Sequence, residues 1–384
     1  MHKQANEIWA DRYDRQIRFA PIGTKGQACL AKAQALVIGC GALGASLAQH
    51  LTRAGVGKVR IADRDYVEPS NLQRQVLFHE ADALAALPKA VAAAEKLRAI
   101  NGSIEIEALV MDVNSSNIAI AMDGVDIVLD GTDNTATRLL LSDACYARNI
   151  PFVYGGIAGA EGMSAVFVPG ETSCLRCLIG DDADADEGQN CDTAGVLSAA
   201  VEFVASLQAV EAIKWLSGNR AAVRKSWITA DLWSFSVREF ALPGCSPVCR
   251  ICGGAAVGAA AHWTDTRSRD EAYGETERES DTATYSSSWG YSAAVSLCGR
   301  DSVQVTLQAS LQLDQWRDVF DRMGYAYKAN RYLLKVLLPE GERLVLFPDG
   351  RILVQGVTDP ARALQLCASY LANPEARAEE EAKA

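Results

Sequence analysis

A glycine-rich turn between a predicted strand and a predicted helix constrains the fold of this chain more than any other feature. The mostly apolar run 33–38 leads into Gly39-x-Gly41-x-x-Gly44, and the helix-forming stretch 45–54 follows. Residues 58–62 are predicted to form a second strand, with Asp63 at its carboxyl end. Strand, turn, helix and strand form a βαβ unit, whose crossover is right-handed by default. A parallel sheet is therefore predicted to start here.

The chain beyond this unit continues the same alternation of strands and helices. Further strand candidates lie at 104–110, 126–130 and 151–154, with strand alternation over 227–242. Helices are predicted at 88–100, which has a proline near its first turn, and at 194–216. We therefore predict an α/β fold, a Rossmann-like and mostly parallel sheet with helices on both faces.

Composition divides the chain into segments. A length of 384 residues suits two to three domains at roughly 150 residues each. We predict a first domain over 1–255, a linker over 256–290 and a small α+β domain over 291–384. The predicted elements of the last domain are strands at 302–307, 331–338, 342–347 and 351–356, helices at 313–323 and 360–371, and a hairpin turn at Asp349-Gly350. The acidic run 180–189 is predicted to be a mobile loop.

Charge and hydropathy exclude several classes of partner. The formal net charge of −11 argues against a broad phosphate-backbone binder, so no nucleic-acid partner is expected. No run approaches roughly 18 uninterrupted apolar residues, so no membrane partner is expected either. The first residues lack the apolar core of a secretion signal. These features predict a soluble, cytoplasmic protein.

The chemistry at the glycine-rich turn has two interpretations from the residues alone. Glycines allow phosphate to approach a helix N-terminus, and Asp63 is placed to accept ribose hydroxyl groups, which is typical of NAD binding. The polar segment 63–75 and Lys89 point elsewhere, because a triphosphate needs several cations and a nicotinamide needs a flat apolar pocket. Arg74 and Lys89 fit the triphosphate. Glycines kept for packing and a solvated charged face remain the simpler alternatives.

Two Cys-x-x-Cys pairs stand out among the eleven cysteines. Cys174 and Cys177 lie about seventy residues before Cys249 and Cys252, and each pair can supply half of a tetrahedral Zn²⁺ site. In a reducing compartment such pairs are metal ligands or redox groups more often than structural disulfides. Cys245 lies nearby, but Cys249 fits the pair spacing better. A structural zinc knuckle is the favoured interpretation.

Seven motifs in order carry a family resemblance. They are residues 12–17 (RYDRQI), 39–44 (GCGALG), 70–75 (SNLQRQ), 132–134 (TDN), Cys174-x-x-Cys177, 191–197 (CDTAGVL) and Cys249-x-x-Cys252. Over roughly residues 8–254 the chain resembles the MoeB/ThiF/HesA family, relatives of ubiquitin-activating enzymes. That family uses ATP and Mg²⁺ to adenylate the C-terminal Gly-Gly carboxylate of a small ubiquitin-like sulfur carrier of the MoaD or ThiS type.

The resemblance implies a function and its partners. The expected enzyme is an adenylyltransferase that releases pyrophosphate and leaves an acyl-adenylate for later sulfur transfer. It would act on the carrier, take sulfur from a possible donor protein and form a homodimer. The homodimer is implied because Arg15 matches the arginine that reaches the phosphates of the other subunit's site.

The resemblance also assigns residues. It gives Asp63 to the ribose, Arg74 and Lys89 to the phosphates, and Asp133 to Mg²⁺. The implied nucleotide-binding set is Gly39, Gly41, Ala42, Gly44, Asp63, Asp65, Ser70, Asn71, Leu72, Gln73, Arg74, Gln75, Lys89, Asp133 and Asn134. Ala42 departs from the glycine of many relatives, and its methyl group is tolerated if the turn has a negative φ there. The implied Zn²⁺ ligands are Cys174, Cys177, Cys249 and Cys252.

Physical reasoning agrees with these roles. The carboxylate and the α-phosphate are both anionic, so cations at Arg15, Arg74, Lys89 and Asp133-bound Mg²⁺ would lower an electrostatic barrier. No general base is required, because a carboxylate is already deprotonated at neutral pH. Asp130 is interpreted either as a helper of Asp133 or as an ordinary strand-end carboxylate.

Two cysteines leave questions open. In the family, a cysteine at the position of Cys191 can bond covalently to the carrier, and in some members it is dispensable. Some relatives carry a C-terminal rhodanese domain, but Cys298 beside Arg300 lacks the long loop of that active site. The last domain is therefore predicted not to be a rhodanese and to bind the carrier or a downstream partner.

Three competing functions remain at this stage. The enzyme could adenylate a peptide in natural-product biosynthesis, with the last domain as a leader-peptide binder. It could bind nucleotide as a silent scaffold, although every expected residue of the ATP site is present. It could be an NAD-dependent oxidoreductase, against which Arg74 and Lys89 argue.

Overall fold

The chain divides into two structural units. The computed structural model describes residues 11–180, 195–253, 291–297 and 301–372. The first unit contains the described residues of 11–84 and 88–253, and the second contains 85–87 together with the described residues of 291–372. The predicted linker 256–290 lies outside the described residues, and the three predicted domain boundaries stay a prediction.

An eight-stranded sheet organises the first unit. Its strands are β1 Gln34–Ile38, β2 Lys58–Asp63, β3 Glu105–Val110, β4 Ile127–Asp130, β5 Phe152–Ala158, β6 Glu161–Phe167, β7 Ser226–Asp231 and β8 Ser236–Ala241. Their order across the sheet is β3-β2-β1-β4-β5-β6-β7-β8. The first five strands are parallel, and β6, β7 and β8 extend the sheet in antiparallel pairing.

Helices cover both faces of this sheet. The helices described in the first unit are α1 Asp14–Ile17, α2 Gly23–Leu30, α3 Ala42–Ala54, α4 Glu80–Leu84, α5 Lys89–Ile100, α6 Ile118–Ala121, α7 Thr135–Arg148, α8 Leu175–Ile179 and α9 Ser198–Leu216. Helices α3, α5 and α9 pack on one face. Helices α6 and α7 pack on the other, against apolar side chains of β1, β4 and β5. The predicted α/β fold with helices on both faces is confirmed.

The burial of the central strands explains why the sequence predicted them. Residues 35–38 of β1 and all of β4 are buried, because these strands have helices on both faces. A parallel strand of this kind is a continuous apolar run rather than an alternating one. Strand β6 had no such signal, and the predicted strand at 227–242 is a hairpin that turns between β7 and β8.

The second unit is a six-stranded antiparallel sheet with helices. Its strands are β9 Tyr291–Ser296, β10 Ser302–Leu307, β11 Tyr327–Ala329, β12 Leu334–Leu337, β13 Arg343–Leu346 and β14 Arg351–Gln355, and its helices are α10 Leu313–Met323 and α11 Pro360–Cys367. The order is β11-β12-β13-β14-β10-β9. The hairpin turn at Gly350 has φ +91°, as the Asp-Gly pair predicts. The predicted α+β class is confirmed.

Among the described residues, no helix is both long enough and apolar enough to span a bilayer.

Candidate nucleotide and metal sites

The glycine-rich turn lies at the point where the sheet reverses its strand order. Strand β1 has β2 on one side and β4 on the other, and the helices that follow β1 and β4 leave toward opposite faces. In open α/β sheets ligands bind in the crevice at the carboxyl ends of the strands at such a point. The two connections meet there, since Gly131 N donates to Ile38 O over 2.8 Å.

The turn itself depends on its glycines. Gly39 has φ +82°, and helix α3 begins at Ala42, which is not among the residues with positive φ. The condition set for the Ala42 methyl group is therefore met. A Cβ on Gly41 would have only Gln75 Nε2 within 4 Å, at 3.9 Å. The space beside Gly41 is open to a ligand.

Asp63 lies buried at the end of β2, beside this turn. Its Oδ2 accepts a hydrogen bond from Cys40 N over 2.5 Å, and its Oδ1 accepts one from Asp65 N over 2.6 Å. Burial raises the pKa of the Asp63 carboxyl, and Lys89 partly offsets this effect. The carboxylate predicted to bind ribose is thus fixed in place by the backbone.

Lys89 is buried at the first position of α5 and faces Asp65. Its Nζ lies 3.1 Å from Asp65 Oδ2, and its backbone N–H donates to Asp65 O over 2.8 Å. The side chain is 3% exposed, so its charge is held in low-dielectric surroundings beside Asp63. A buried cation of this kind acts on a nearby anion more strongly than a solvated one.

The segment 70–75 forms a hydrogen-bonded turn whose side chains lie in different environments. Asn71 is buried, and its Oδ1 accepts from Glu68 N over 3.1 Å, so it holds the turn closed. Arg74 Nη1 donates to Ser70 O over 3.1 Å. Gln75 is buried, and its Oε1 has no hydrogen-bond partner among the described residues. Of the remaining predicted residues, Ser70 and Gln73 are exposed and Leu72 is half-buried.

Asp133 and Asn134 lie in the connection after β4. Asp133 is exposed, and its carboxylate accepts no hydrogen bond from the described residues. Asn134 caps helix α7, because its Oδ1 accepts from Thr137 N over 2.8 Å. The Asp133 carboxylate is therefore available to a ligand, whereas the Asn134 amide oxygen already caps helix α7.

The sequence analysis assigned no individual role to two arginines near this site. Arg138 Nε lies 3.0 Å from Asp130 Oδ2, and Arg64 Nη1 lies 3.2 Å from Asp112 Oδ1. Arg138 follows Asn134 by one helical turn, which places it over the end of β4 and is the signal that could have found it. Asp130 is fully buried, pairs with Arg138 and accepts a hydrogen bond from Thr132 N, so it does more than end a strand.

The four predicted zinc ligands come together in a second place. The Sγ atoms of Cys174, Cys177, Cys249 and Cys252 all lie within 4.8 Å of one another. The Sγ separations are 3.8 Å for Cys174–Cys177, 3.7 Å for Cys174–Cys249 and 3.6 Å for Cys177–Cys252. Tetrahedral Zn²⁺ with bonds of about 2.3 Å would separate neighbouring sulfurs by about 3.8 Å. The cluster can hold a zinc ion.

Helix α7 holds the segment that carries Cys174, and Cys245 is not one of the four clustered cysteines. Tyr146 OH donates to Ser173 O over 2.7 Å, directly before Cys174. Cys245 Sγ instead donates to Thr172 O over 3.0 Å. The preference for Cys249 over Cys245 agrees with this geometry.

Comparison with protein families identifies the family of the chain that carries these two sites. The model of the ThiF family matches residues 13–251. This range contains the glycine-rich turn, the 70–75 segment, Asp133 and three of the four cysteines of the cluster. The chain belongs to the ThiF family.

Curated relatives give this ThiF-family chain its reaction class. It is 39% identical over 356 residues to a sulfur carrier protein ThiS adenylyltransferase of Bacillus subtilis, covering 92% of this chain and 96% of that protein. A protein of the same name from Escherichia coli is 39% identical over 244 residues, covering 63% of this chain and 95% of that protein. The chain is an adenylyltransferase, so the oxidoreductase and silent-scaffold alternatives are set aside.

The extent of these matches differs between the two relatives. A match over 92% of the chain must include part of the C-terminal unit, so the Bacillus protein shares at least part of that unit. The Escherichia coli protein is matched almost completely by 63% of the chain. The solved structures support the fold alone: Escherichia coli MccB with succinimide superposes with a TM-score of 0.55 at 22% identity, covering 63% of this chain and 74% of that one.

Two further residues, Arg15 and Cys191, were predicted to be catalytic. Arg15 lies on α1 with its side chain 86% exposed, and its Nη1 is 3.9 Å from Asp14 Oδ2. Its assignment to a partner's site stays a prediction. Cys191 lies outside the described residues, as do the acidic run 181–189 and Cys298.

Proposed function

We propose that this enzyme adenylates the C-terminal Gly-Gly carboxylate of a ubiquitin-like sulfur-carrier protein of the ThiS or MoaD type. The carboxylate oxygen would attack the α-phosphorus of ATP, pyrophosphate would leave, and an acyl-adenylate would remain for later sulfur transfer. The observation that carries the proposal is the 39% identity to a ThiS adenylyltransferase over 96% of that protein's length.

The site at the sheet reversal supports ATP as the nucleotide. The space beside Gly41 leaves room for a ligand, and Gln75 Oε1, which has no hydrogen-bond partner within the described part of the chain, offers it a polar group. Asp63 would accept the ribose hydroxyls, and the first turn of α3 would face phosphate. Gln75 Nε2 lies 3.9 Å from where a Cβ of Gly41 would be, and Lys89 lies beside Asp65 and Asp63.

The charges of the site support the proposed reaction. Arg74 and Lys89, with Arg15 of a second protomer, would neutralise the triphosphate as the two anions meet. Asp133 offers an exposed carboxylate oxygen, which suits Mg²⁺ because this ion is usually held by one or two carboxylates together with substrate phosphates. Mg²⁺ bound there would stabilise charge on the leaving pyrophosphate.

The cysteine cluster supports a structural Zn²⁺ ion. Four thiolates and no open position are typical of structural sites, whereas catalytic zinc keeps a position for water or substrate. Its ligands are Cys174, which precedes α8, Cys177 in α8, and Cys249 and Cys252, so the metal would tie these two segments together. We assign it to folding of the knuckle and not to the chemical step.

The partners follow from the same proposal. We propose a homodimer in which Arg15 completes the neighbouring site, a carrier ending in Gly-Gly, and a sulfur donor protein that acts after adenylation. Whether Cys191 bonds to the carrier is part of that later step. The peptide-adenylating alternative, with the last domain as a leader-peptide binder, is not proposed, because the curated relatives that match this chain are named for sulfur carriers.

Carrier-dependent exchange of pyrophosphate into ATP tests the proposal. The wild-type enzyme should catalyse exchange only when a carrier ending in Gly-Gly is present, and Asp133→Asn should abolish it. Asp123→Asn is the matched control. Asp123 is also an exposed aspartate, but it precedes β4, whereas Asp133 follows this strand. Exchange without carrier, or exchange that survives Asp133→Asn, would refute the assignment.

A further inference from the structure

Strands β4 and β5 pair over only two positions. The register joins Val128 to Phe152 and Leu129 to Val153, and no pair follows among the described residues. Beyond this point two side chains connect the strands. Gln208 Nε2, on α9, donates to Asp130 O over 2.9 Å and to Val153 O over 3.2 Å. Arg138, on α7, provides the second connection.

Arg138 connects three separate groups around the end of β4. Its Nε donates to Asp130 Oδ2 over 3.0 Å, and its Nη2 donates to Thr132 O over 2.8 Å and to Gly155 O over 3.1 Å. Its guanidinium carbon lies 5.2 Å from the ring centre of Tyr154. The planar group therefore joins the end of β4, the following connection and β5 through a fixed fork of donors, whereas lysine offers one compact ammonium group.

Asp130 closes this arrangement into a ring. Its Oδ1 accepts from Thr132 N over 2.9 Å and from Thr132 Oγ1 over 2.7 Å, while Oδ2 accepts from Arg138. The loop 131–134 is thereby fixed at Thr132 from two sides. Asp133 is the next residue, so the direction of its carboxylate depends on how Thr132 is held.

We propose that Arg138 is a positioning residue for Asp133: by bridging Asp130, Thr132 and Gly155 it fixes the loop whose carboxylate would hold Mg²⁺. This inference rests on the proposed function, since it gives Asp133 the metal. Arg138 itself is not assigned to the phosphates, because its Nε and Nη2 are used by the protein.

The electrostatics of the pair agree with this role. Burial raises the pKa of the Asp130 carboxyl, while Arg138 and the hydrogen bonds from Thr132 lower it. Without the guanidinium, Asp130 would be an uncompensated buried charge and would take up a proton. A protonated Asp130 would accept hydrogen bonds from Thr132 less strongly, and the loop would loosen.

Arg60 provides a matched control elsewhere in the same sheet. Its Nε donates to Glu107 Oε2 over 2.9 Å, and its Nη1 donates to Ala121 O over 2.6 Å and to Asp123 O over 2.9 Å. It thus also joins one carboxylate to two carbonyl groups, and its side chain is 10% exposed against 14% for Arg138. It differs in lying away from the loop 131–134.

The test compares Arg138→Lys with Arg60→Lys. Lysine keeps the charge beside Asp130 and removes the bridge to the two carbonyl groups, so the variant should fold. ATP affinity is measured by calorimetry with Mg²⁺ and with EDTA. Mg²⁺ raises the ATP affinity of the wild type by some factor, and we expect this factor to fall by about tenfold in Arg138→Lys. The ATP affinity of Arg138→Lys in EDTA should be unchanged. Arg60→Lys should match the wild type in both ATP affinities.

Hydrogen exchange of the amides in loop 131–134 provides the structural readout, and it should accelerate in Arg138→Lys only. An unchanged Mg²⁺-dependent gain, or no such gain in the wild type, overturns the inference. Equal losses of affinity with and without Mg²⁺ also overturn it, because they indicate direct contact with phosphate. None of these measurements needs a carrier, so failure of carrier adenylation is a separate result.

Discussion

Gly44 and Gly39 lie so close that neither the turn nor helix α3 has room for a side chain at Gly44: a Cβ there would be 1.7 Å from Gly39 O. Gly41, two residues from Gly39, is the opposite case, because a Cβ there would meet nothing nearer than Gln75 Nε2 at 3.9 Å. Two glycines of one motif therefore serve different purposes, packing at Gly44 and access for a ligand at Gly41.

This contrast predicts opposite effects of two alanine substitutions. Gly44→Ala should lower the free energy of unfolding by about 1–3 kcal/mol, as is usual for overpacking. Gly41→Ala should leave it nearly unchanged and weaken ATP binding about tenfold or more, since the methyl group would occupy ligand space. Urea unfolding and calorimetry measure the two quantities.

Gly102→Ala is the control for this pair, because Gly102 lies outside the turn and a Cβ there would be 3.6 Å from Arg98 O. It should change neither quantity. Normal ATP affinity in Gly41→Ala would contradict the placement of the nucleotide.

The sequence predicted the parts of the fold with strong local signals. Strands β1 and β4 could be predicted because they are buried on both faces and are therefore continuously apolar. The helix that begins at Lys89 could be predicted because a proline precedes it. Strand β6 was missed because Glu161–Phe167 neither alternates nor forms a continuous apolar run. Its Gly162 reflects tertiary packing, since a Cβ there would lie 2.3 Å from Val204 Cγ2 on α9.

The candidate sites were predictable to a similar degree. The cysteine cluster could be predicted because paired spacing is itself the signal, whereas the bridge from Arg138 could not. That contact depends on β4 and β5 separating after Leu129, which no local pattern encodes. The position of Arg74 against Ser70 O is likewise a property of the folded turn.

The cysteine cluster predicts metal content that depends on Cys249 and not on Cys245. Purified enzyme should contain one zinc per chain, and Co²⁺ in its place should give the absorption of a tetrahedral thiolate complex. Cys249→Ser should lose the metal and stability, because one ligand is gone. Cys245→Ser should keep the metal, since its Sγ donates to Thr172 O. Metal retained in Cys249→Ser and lost in Cys245→Ser would reassign the fourth ligand.

Glu107 predicts a pH-dependent contribution to stability. Burial by itself would raise its pKa, but hydrogen bonds from Lys58 and Arg60 outweigh this and hold the pKa below the ordinary value of 4.5. A carboxyl whose pKa is lowered by folding stabilises the folded state above its unfolded pKa and loses this effect as pH falls through its folded pKa. Glu107→Gln should therefore be less stable than wild type at pH 7, with the difference vanishing in acid below 4.5.

Glu105→Gln is the control for that series, because Glu105 also lies 2.8 Å from Lys58 Nζ but is 63% exposed. Its effect should be smaller. A Glu107→Gln deficit that stays constant from pH 7 to acid would rule out the ion pair as its source.

Arg74 predicts a loss in the chemical step. Removing one cation that stabilises transition-state charge costs on the order of 3 kcal/mol, so Arg74→Ala should lower carrier-dependent exchange by about a hundredfold. Arg148→Ala is the control, because Arg148 is an exposed arginine in the last turn of α7. Steady-state exchange rates provide the measurement. Equal rates for the two variants would remove Arg74 from the site.

The path of one oxygen atom tests the central claim most directly. A carrier whose terminal carboxylate is labelled with oxygen-18 is incubated with enzyme, ATP and Mg²⁺, and hydroxylamine captures the acyl group. If the carboxylate attacks the α-phosphorus, the released AMP carries one labelled oxygen and the carrier ends in a hydroxamate. AMP without label, or a carrier that stays unmodified, would contradict the account.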